Sequence, residues 1–277
     1  MMFMSTLKKR LPFWRWALLT VFSVTLFFVL YGVCQSVFLL KAGTLVRILF
    51  PVTASLLLLG AYALWCRVLE KRWPEEISVK SSASGLATGL AVGFLVFAGI
   101  TGILALLGMY RIESVSPKWN LVAISLADFL LVACAEELIF RGFLFRYIDE
   151  RYNTAVALTV SALVFGFIHI MNSGATVWSS ISIAITAGLM MGLASKASGD
   201  LWLPIGIHWA WNFTQGNIFG FNVSGYHSAA SIFTAEVDGP DLFTGGAFGP
   251  EASIIAPIFG VALSIIFAFY WRLRRNQ

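Results

Sequence analysis

WALLTVFSVTLFFVLYGVCQSVFLL, residues 16–40, contains no Lys, Arg, Asp or Glu. About 20 apolar residues cross a bilayer as a helix, so this run alone reads as a membrane span. Working outward, residues 48–66, 81–110, 152–195, 201–235 and 252–271 are also free of those four residue types, and 119–147 supplies one further segment. The run 152–195 is long enough for two passes, divided near Met171-Asn172-Ser173-Gly174. The reading is an all-α polytopic bundle of eight transmembrane helices, with 1–277 a single integral membrane domain. Composition agrees: 58% of the residues are hydrophobic and 12% charged, against about 45–50% and about 25% in soluble domains. This composition argues against a soluble single-core protein.

Orientation follows from Lys and Arg, which are retained on the cytoplasmic side of spanning segments. With the N-terminus inside, the cytoplasmic segments hold Lys8, Lys9, Arg10 and Arg15, then Arg67, Lys71, Arg72 and Lys80. They also hold Arg141, Arg146 and Arg151, then Lys196, and finally Arg272, Arg274 and Arg275. Only Lys41, Arg47, Arg111 and Lys118 of the 19 fall outside. Both termini are therefore expected in the cytoplasm. The net charge of +5 reports topology, and no nucleic-acid partner is needed to explain it.

A basic segment before an apolar one also describes a signal peptide, but the uncharged run at 16–40 exceeds the usual h-region of about 7–15 residues and no A-x-A site follows it. The first helix is read as retained, and Cys34 lacks the small preceding residues of a lipid-attachment site. Cys34, Cys66 and Cys134 are scattered in apolar runs with neither bridge nor zinc-type spacing. They read as small buried hydrophobes. Without a compartment-targeting segment, the expected location is a prokaryotic plasma membrane.

Residues 220–251 are Gly-rich, carry Glu236, Asp238, Asp241 and Glu251, and lack Lys and Arg. This suits an extracytoplasmic loop, either a lid or an acidic connector. Glycines at Gly85, Gly89 and Gly93, and at Gly188 and Gly192, recur at helical spacing and bring backbones together. Packing inside the bundle explains them more simply than a dimer interface, and the oligomeric state stays open. The tryptophans, including Trp202, Trp209, Trp211 and Trp271, read as interfacial belts and packing.

An ionisable residue inside a membrane costs on the order of 2.5–3.5 kcal/mol on insertion scales and marks a functional site by default. Asp128, Glu136, Glu137 and Arg141 lie on the fourth candidate helix, His169 on the fifth, His208 and Asn212 on the seventh. Glu137 and Arg141, at i and i+4, stand in the favourable order for an ion pair. Glu136 is rotated by about 100° and is left available as a general base. Phe165 and His169 share one helix face, as do His208 and Asn212. Two histidines, a spare glutamate and an amide donor are the parts needed to activate water and hold an oxyanion. Asp128, two turns before Glu136, is a candidate partner for it, and His227 in the Gly-rich loop reads as solvated. If every helix crossed straight, His169 would lie near the outer end while Glu136 and His208 lay at intermediate depth, which calls either for tilted, staggered helices or for boundaries displaced by several residues.

Glu136-Glu137-x-x-x-Arg141, Phe165-x-x-x-His169 and His208-x-x-x-Asn212, in this order on successive hydrophobic helices, resemble the motifs of the CPBP (ABI) family of intramembrane proteases, which includes the Ras-converting CAAX endopeptidases. The motifs cover residues 120–215, the expected catalytic core region. The resemblance implies a peptidase in which Glu136 activates water with help from His169, and His208 and Asn212 stabilise the oxyanion. Glu137, Arg141 and Phe165 would be supporting residues. It implies glutamate dependence with no obligatory metal. Glu136, His169 and His208 offer three zinc ligands in principle, but the helix-borne H-E-x-x-H pattern is absent. The expected partners are a membrane-associated protein or peptide substrate and the lipid bilayer. The competing readings are a proton-coupled transporter, from the same buried carboxylates, and a non-catalytic immunity or scaffold protein.

Overall fold

The computed structural model describes residues 11–38, 42–228 and 230–275. Helix α1 (Phe13–Phe38) is followed by α2 (Thr44–Val68), a short turn at Glu75–Ile77, and α3 (Val79–Leu106). Strand β1 (Tyr110–Val115) leads into α4, which runs from Trp119–Glu137 through π-helical turns at Leu138–Phe145 into Arg146–Arg151. Then come α5 (Thr154–Ile168), α6 (Val177–Ile183, π-helical Ala184–Leu189, Met190–Ser198) and α7 (Trp202–Phe213, π-helical Thr214–Ile218). Strand β2 (Phe233–Val237) and a folded loop precede α8 (Ile255–Arg275).

Six helices among the described residues are long and apolar enough to cross a membrane: α1, α2, α3, Thr154–Met171, Val177–Ser198 and α8. Their outward faces carry bare Leu56, Leu57, Leu95, Ile265 and Ile266. Such exposure is unfavourable in water and free of that cost in hydrocarbon, which marks an integral membrane protein. The break expected near residues 171–174 is present between α5 and α6. Eight spans were expected; α4 and α7, which carry two of the three polar motifs, lie outside the six.

The all-α expectation needs one correction. β1 and β2 pair antiparallel, with Tyr110 opposite Val237 and a bulge between Ile112 and Ser114. Outside a helix the backbone N–H and C=O groups need other partners, and these two extended segments supply them to each other. Tyr110 anchors the ribbon against Phe219 and Phe221.

The glycine stripe on α3 works within the bundle. A Cβ on Gly89 would come within 2.4 Å of the Leu203 carbonyl oxygen, and one on Gly93 within 2.4 Å of that of Ile207. Only glycine permits this approach of α3 to α7, and it sets the depth at which the following residue, His208, enters the core. All three cysteines are free; Cys66 and Cys134 are buried and Cys34 half-buried.

One end of the bundle is closed by a charged network. Buried Glu70 accepts from Arg72 Nε at 2.6 Å and from Arg146 Nη2 at 2.7 Å, and Arg72 Nη2 reaches Glu76 at 2.5 Å. Tyr62 and Tyr147 donate to Glu76 and Glu70. Lys196 meets Asp149 at 2.9 Å, and Arg274 donates to the carbonyls of Ala197 and Ser198. At the other end, the described residues of 220–251 fold into a cap and do not form a loose connector. Gln215 Nε2 donates to the Asn222 carbonyl, Asn222 Nδ2 to that of Ala247, and Trp178 Nε1 to that of Ala252.

Candidate active site

Glu137 is fully buried, and its Oε1 accepts from Arg141 Nη1 at 2.8 Å, the i,i+4 pair read from sequence. The same oxygen lies 3.0 Å from His208 Nδ1. A carboxylate facing Nδ1 places the proton on that nitrogen, so Nε2 is turned toward Glu136, 3.9 Å from its Oε2. Supporting glutamate and candidate base thus hold opposite sides of one imidazole. The Arg141 charge is also held by the carbonyls of Ala187 and Gly188. Those carbonyls belong to the π-helical segment of α6, where widened turns release backbone oxygens, a distortion frequent at functional sites.

Phe165 is buried at the centre. Its ring lies 5.0 Å from the His169 ring, 6.3 Å from the His208 ring, and 4.8 Å beneath the Arg141 guanidinium. His169 stands in the turn that ends α5, with Nδ1 2.7 Å from the Phe165 carbonyl oxygen. Its Nε2 is therefore the nitrogen left for chemistry.

Glu136, His169, His208 and Asn212 all line one cavity of about 620 Å³, within the range of about 300–1,000 Å³ typical of ligand sites. The cavity extends toward the end where α2 and α4 begin and α5 and α7 finish, and includes Arg47, Leu121, Asn172 and Val223. His169 stands at the end of α5, and the cavity extends toward that end to reach it. Asp128 lines it as well, accepting from Gln35 Nε2 of α1 at 3.1 Å.

Two further residues read from the sequence border the cavity as well. His227 is solvent-exposed, as expected, but it has a companion: its Nδ1 lies 3.1 Å from Asn222 Oδ1 at the border of the cavity. Trp211 is buried in packing against Phe97, as expected, and also borders the cavity while its Nε1 donates to Gln215 at 3.0 Å.

Glu251 was not singled out. It is buried and lines the cavity, with Oε2 accepting from the Ser224 N–H at 2.7 Å and the Ser224 hydroxyl at 3.0 Å. Ser224 holds φ at +48°, a left-handed conformation rare for a non-glycine, and this aims both donors at one oxygen. Burial pushes the Glu251 carboxyl above its ordinary value, against the pull of Ser224 and His169. Its sequence signal was faint: it abuts the apolar run 252–271, whereas Glu236, Asp238 and Asp241 do not. Among the described residues, no group of three or more His, Cys, Asp and Glu is arranged to hold a metal ion.

The cavity gathers Glu136, His169, His208 and Asn212, side chains of the types that can activate water and meet an oxyanion. Residues 118–214 match the family model described as type II CAAX prenyl endopeptidase Rce1-like. That stretch begins just before α4, ends just past Asn212, and contains all three motifs, in agreement with their resemblance to the CPBP proteases. No curated protein and no solved structure gives a match.

Proposed function

We propose that this chain is a glutamate-dependent intramembrane endopeptidase acting on a membrane-associated protein or peptide. The observation that carries the reading is the 3.9 Å approach of Glu136 to His208 on the cavity shared with His169 and Asn212. Glu136 takes a proton from a water held by His169 Nε2, and the resulting hydroxide adds to the scissile carbonyl. The oxyanion is met by the Asn212 amide and by His208, protonated on both nitrogens between Glu136 and Glu137. Glu136 then passes its proton to the leaving amine as the C–N bond breaks, so water is consumed and carboxyl and amine ends are released. No step uses a metal.

The Rce1-like match supports a CAAX-type C-terminal substrate, with leader or sorting-signal peptides as alternatives. The charged network joining residues 70–76, 146–151, 196–198 and 274 gathers the Lys- and Arg-rich segments at one end, which supports cytoplasmic termini and eight crossings that include α4 and α7. A prokaryotic plasma membrane remains the proposed location.

The test is comparative peptidomics of membranes from cells making wild-type protein, Glu136→Gln, or neither. A fragment pair found only with wild type supports proteolysis and names the substrate. Identical profiles from folded, abundant protein co-expressed with prenylated substrates would overturn the reading.

A further inference from the structure

Among the described residues, Arg47 is the one lysine or arginine that lines the cavity, beside carboxylates at Asp128, Glu136 and Glu251. It stands in the first turn of α2, where the helix dipole disfavours a cation. Its guanidinium packs 5.3 Å from the centroid of Phe38, another cavity residue. A ring face attracts the charge but does not satisfy the N–H donors. Nε is shut off from solvent and has no hydrogen-bond partner, and no carboxylate among the described residues pairs with the guanidinium. Asp128 lies within Coulombic reach, but its described hydrogen bond is the one its Oδ1 accepts from Gln35. A buried donor without an acceptor is unfavourable, and such a group facing a cavity is suited to an acceptor carried by a ligand.

We infer that Arg47 is the anchoring site for a carboxylate of the substrate. This deepens the endopeptidase reading and rests on it. The planar guanidinium fork matches one carboxylate through two parallel hydrogen bonds. The helix supplies a ruler. Asp128, beside Arg47, precedes Glu136 by two turns of α4, about 12 Å along the axis. An extended chain covers that distance in roughly three to four residues. The anchored carboxylate is thus a few residues from the bond that is cut, and belongs either to the substrate's C-terminus or to an acidic side chain near it.

The test uses three internally quenched, S-farnesylated peptides ending in Cys-Val-Ile-Ala as free acid, Cys-Val-Ile-Ala as amide, and Cys-Val-Ile-Glu as amide. Wild type and Arg47→Gln are assayed in nanodiscs for kcat and KM, and binding is measured on the Glu136→Gln background with and without Arg47→Gln. Wild type is expected to favour a carboxylate-bearing peptide over the plain amide at least tenfold, mainly through KM, with Arg47→Gln bringing the ratio to about one. Preference for the free acid alone assigns the C-terminus, and preference for the Glu amide assigns a side chain. Cleavage without carboxylate preference, or a preference that Arg47→Gln leaves intact, would overturn the inference while the endopeptidase reading stands. Arg47-dependent carboxylate binding without cleavage of any peptide would uphold the inference and count against the proteolytic reading. If Arg47→Gln instead loses affinity for phosphatidylglycerol nanodiscs and keeps the acid preference, the occupant is a lipid phosphate and the inference fails.

Discussion

The Glu137 carboxylate holds His208 Nδ1 at 3.0 Å through the same oxygen that pairs with Arg141. One buried atom therefore neutralises a cation on its own helix and sets the tautomer of a histidine on another. Supporting groups of this kind orient a reacting side chain without touching substrate. Glu137 is a positioning residue in this sense.

Glu137→Ala is expected to leave Arg141 as an uncompensated buried charge, a change that costs about 3–5 kcal/mol in comparable pairs. The thermal midpoint in detergent should fall sharply, and with it activity. Glu137→Gln should recover folding more than it recovers kcat, since an amide neither offsets Arg141 nor favours a doubly protonated His208. Equal recovery of both would contradict the positioning role.

Glu136→Gln should do the opposite. The side chain faces the cavity and keeps its volume as glutamine, so the thermal midpoint should hold. Loss of a general base typically costs about 10²–10⁴-fold in rate, and the loss should appear in kcat. A variant that keeps wild-type turnover would show that another group activates the water.

Glu251 predicts a pH dependence of stability. Its carboxyl is raised in the folded chain by burial, so the folded state binds this proton more tightly than the unfolded state does. That contribution is fully present below the ordinary glutamate value of about 4.3 and is lost as pH rises through the raised value. Thermal melts across this range should show wild type losing stability relative to Glu251→Gln as pH rises, with a parallel pair of curves counting against it.

Gly93→Leu should prevent correct folding, because even its Cβ would lie 2.4 Å from the Ile207 carbonyl oxygen and 2.9 Å from Ala210 Cβ. Gly102→Leu is the control, since nothing lies within 4 Å of a Cβ there. Yield of monodisperse protein on size exclusion distinguishes the two.

Chelation is expected to leave turnover unchanged. Incubation with 1,10-phenanthroline or EDTA, followed by assay with and without added zinc, should give a ratio near one. A loss that zinc restores would replace the metal-free mechanism with a metal-dependent one.

Much of this arrangement is legible along the chain because its causes are local. Uncharged runs report spans, since each backbone polar group in a helix is satisfied within the helix itself. Glu137 and Arg141 pair because four residues nearly complete one turn. Other features depend on distant partners. β1 appears in no sequence pattern as half of a ribbon, because its partner lies more than a hundred residues away at Phe233–Val237. The pairing of Glu251 with Ser224 at the cavity is hidden for the same reason: burial of a loop carboxylate depends on the cap that closes over it.

The sequence by itself determined a membrane-embedded helical protein, the order of its motifs, and which glutamate is paired with the arginine, because hydropathy and helical period act over a few turns. Only the tertiary structure decided that Glu137 also holds His208, that one cavity joins Arg47 to Glu136, and that residues 220–251 cap it. Those relations depend on how closely α3 meets α7 and where π-helical turns redirect backbone oxygens, and both are settled by packing between segments far apart in the chain.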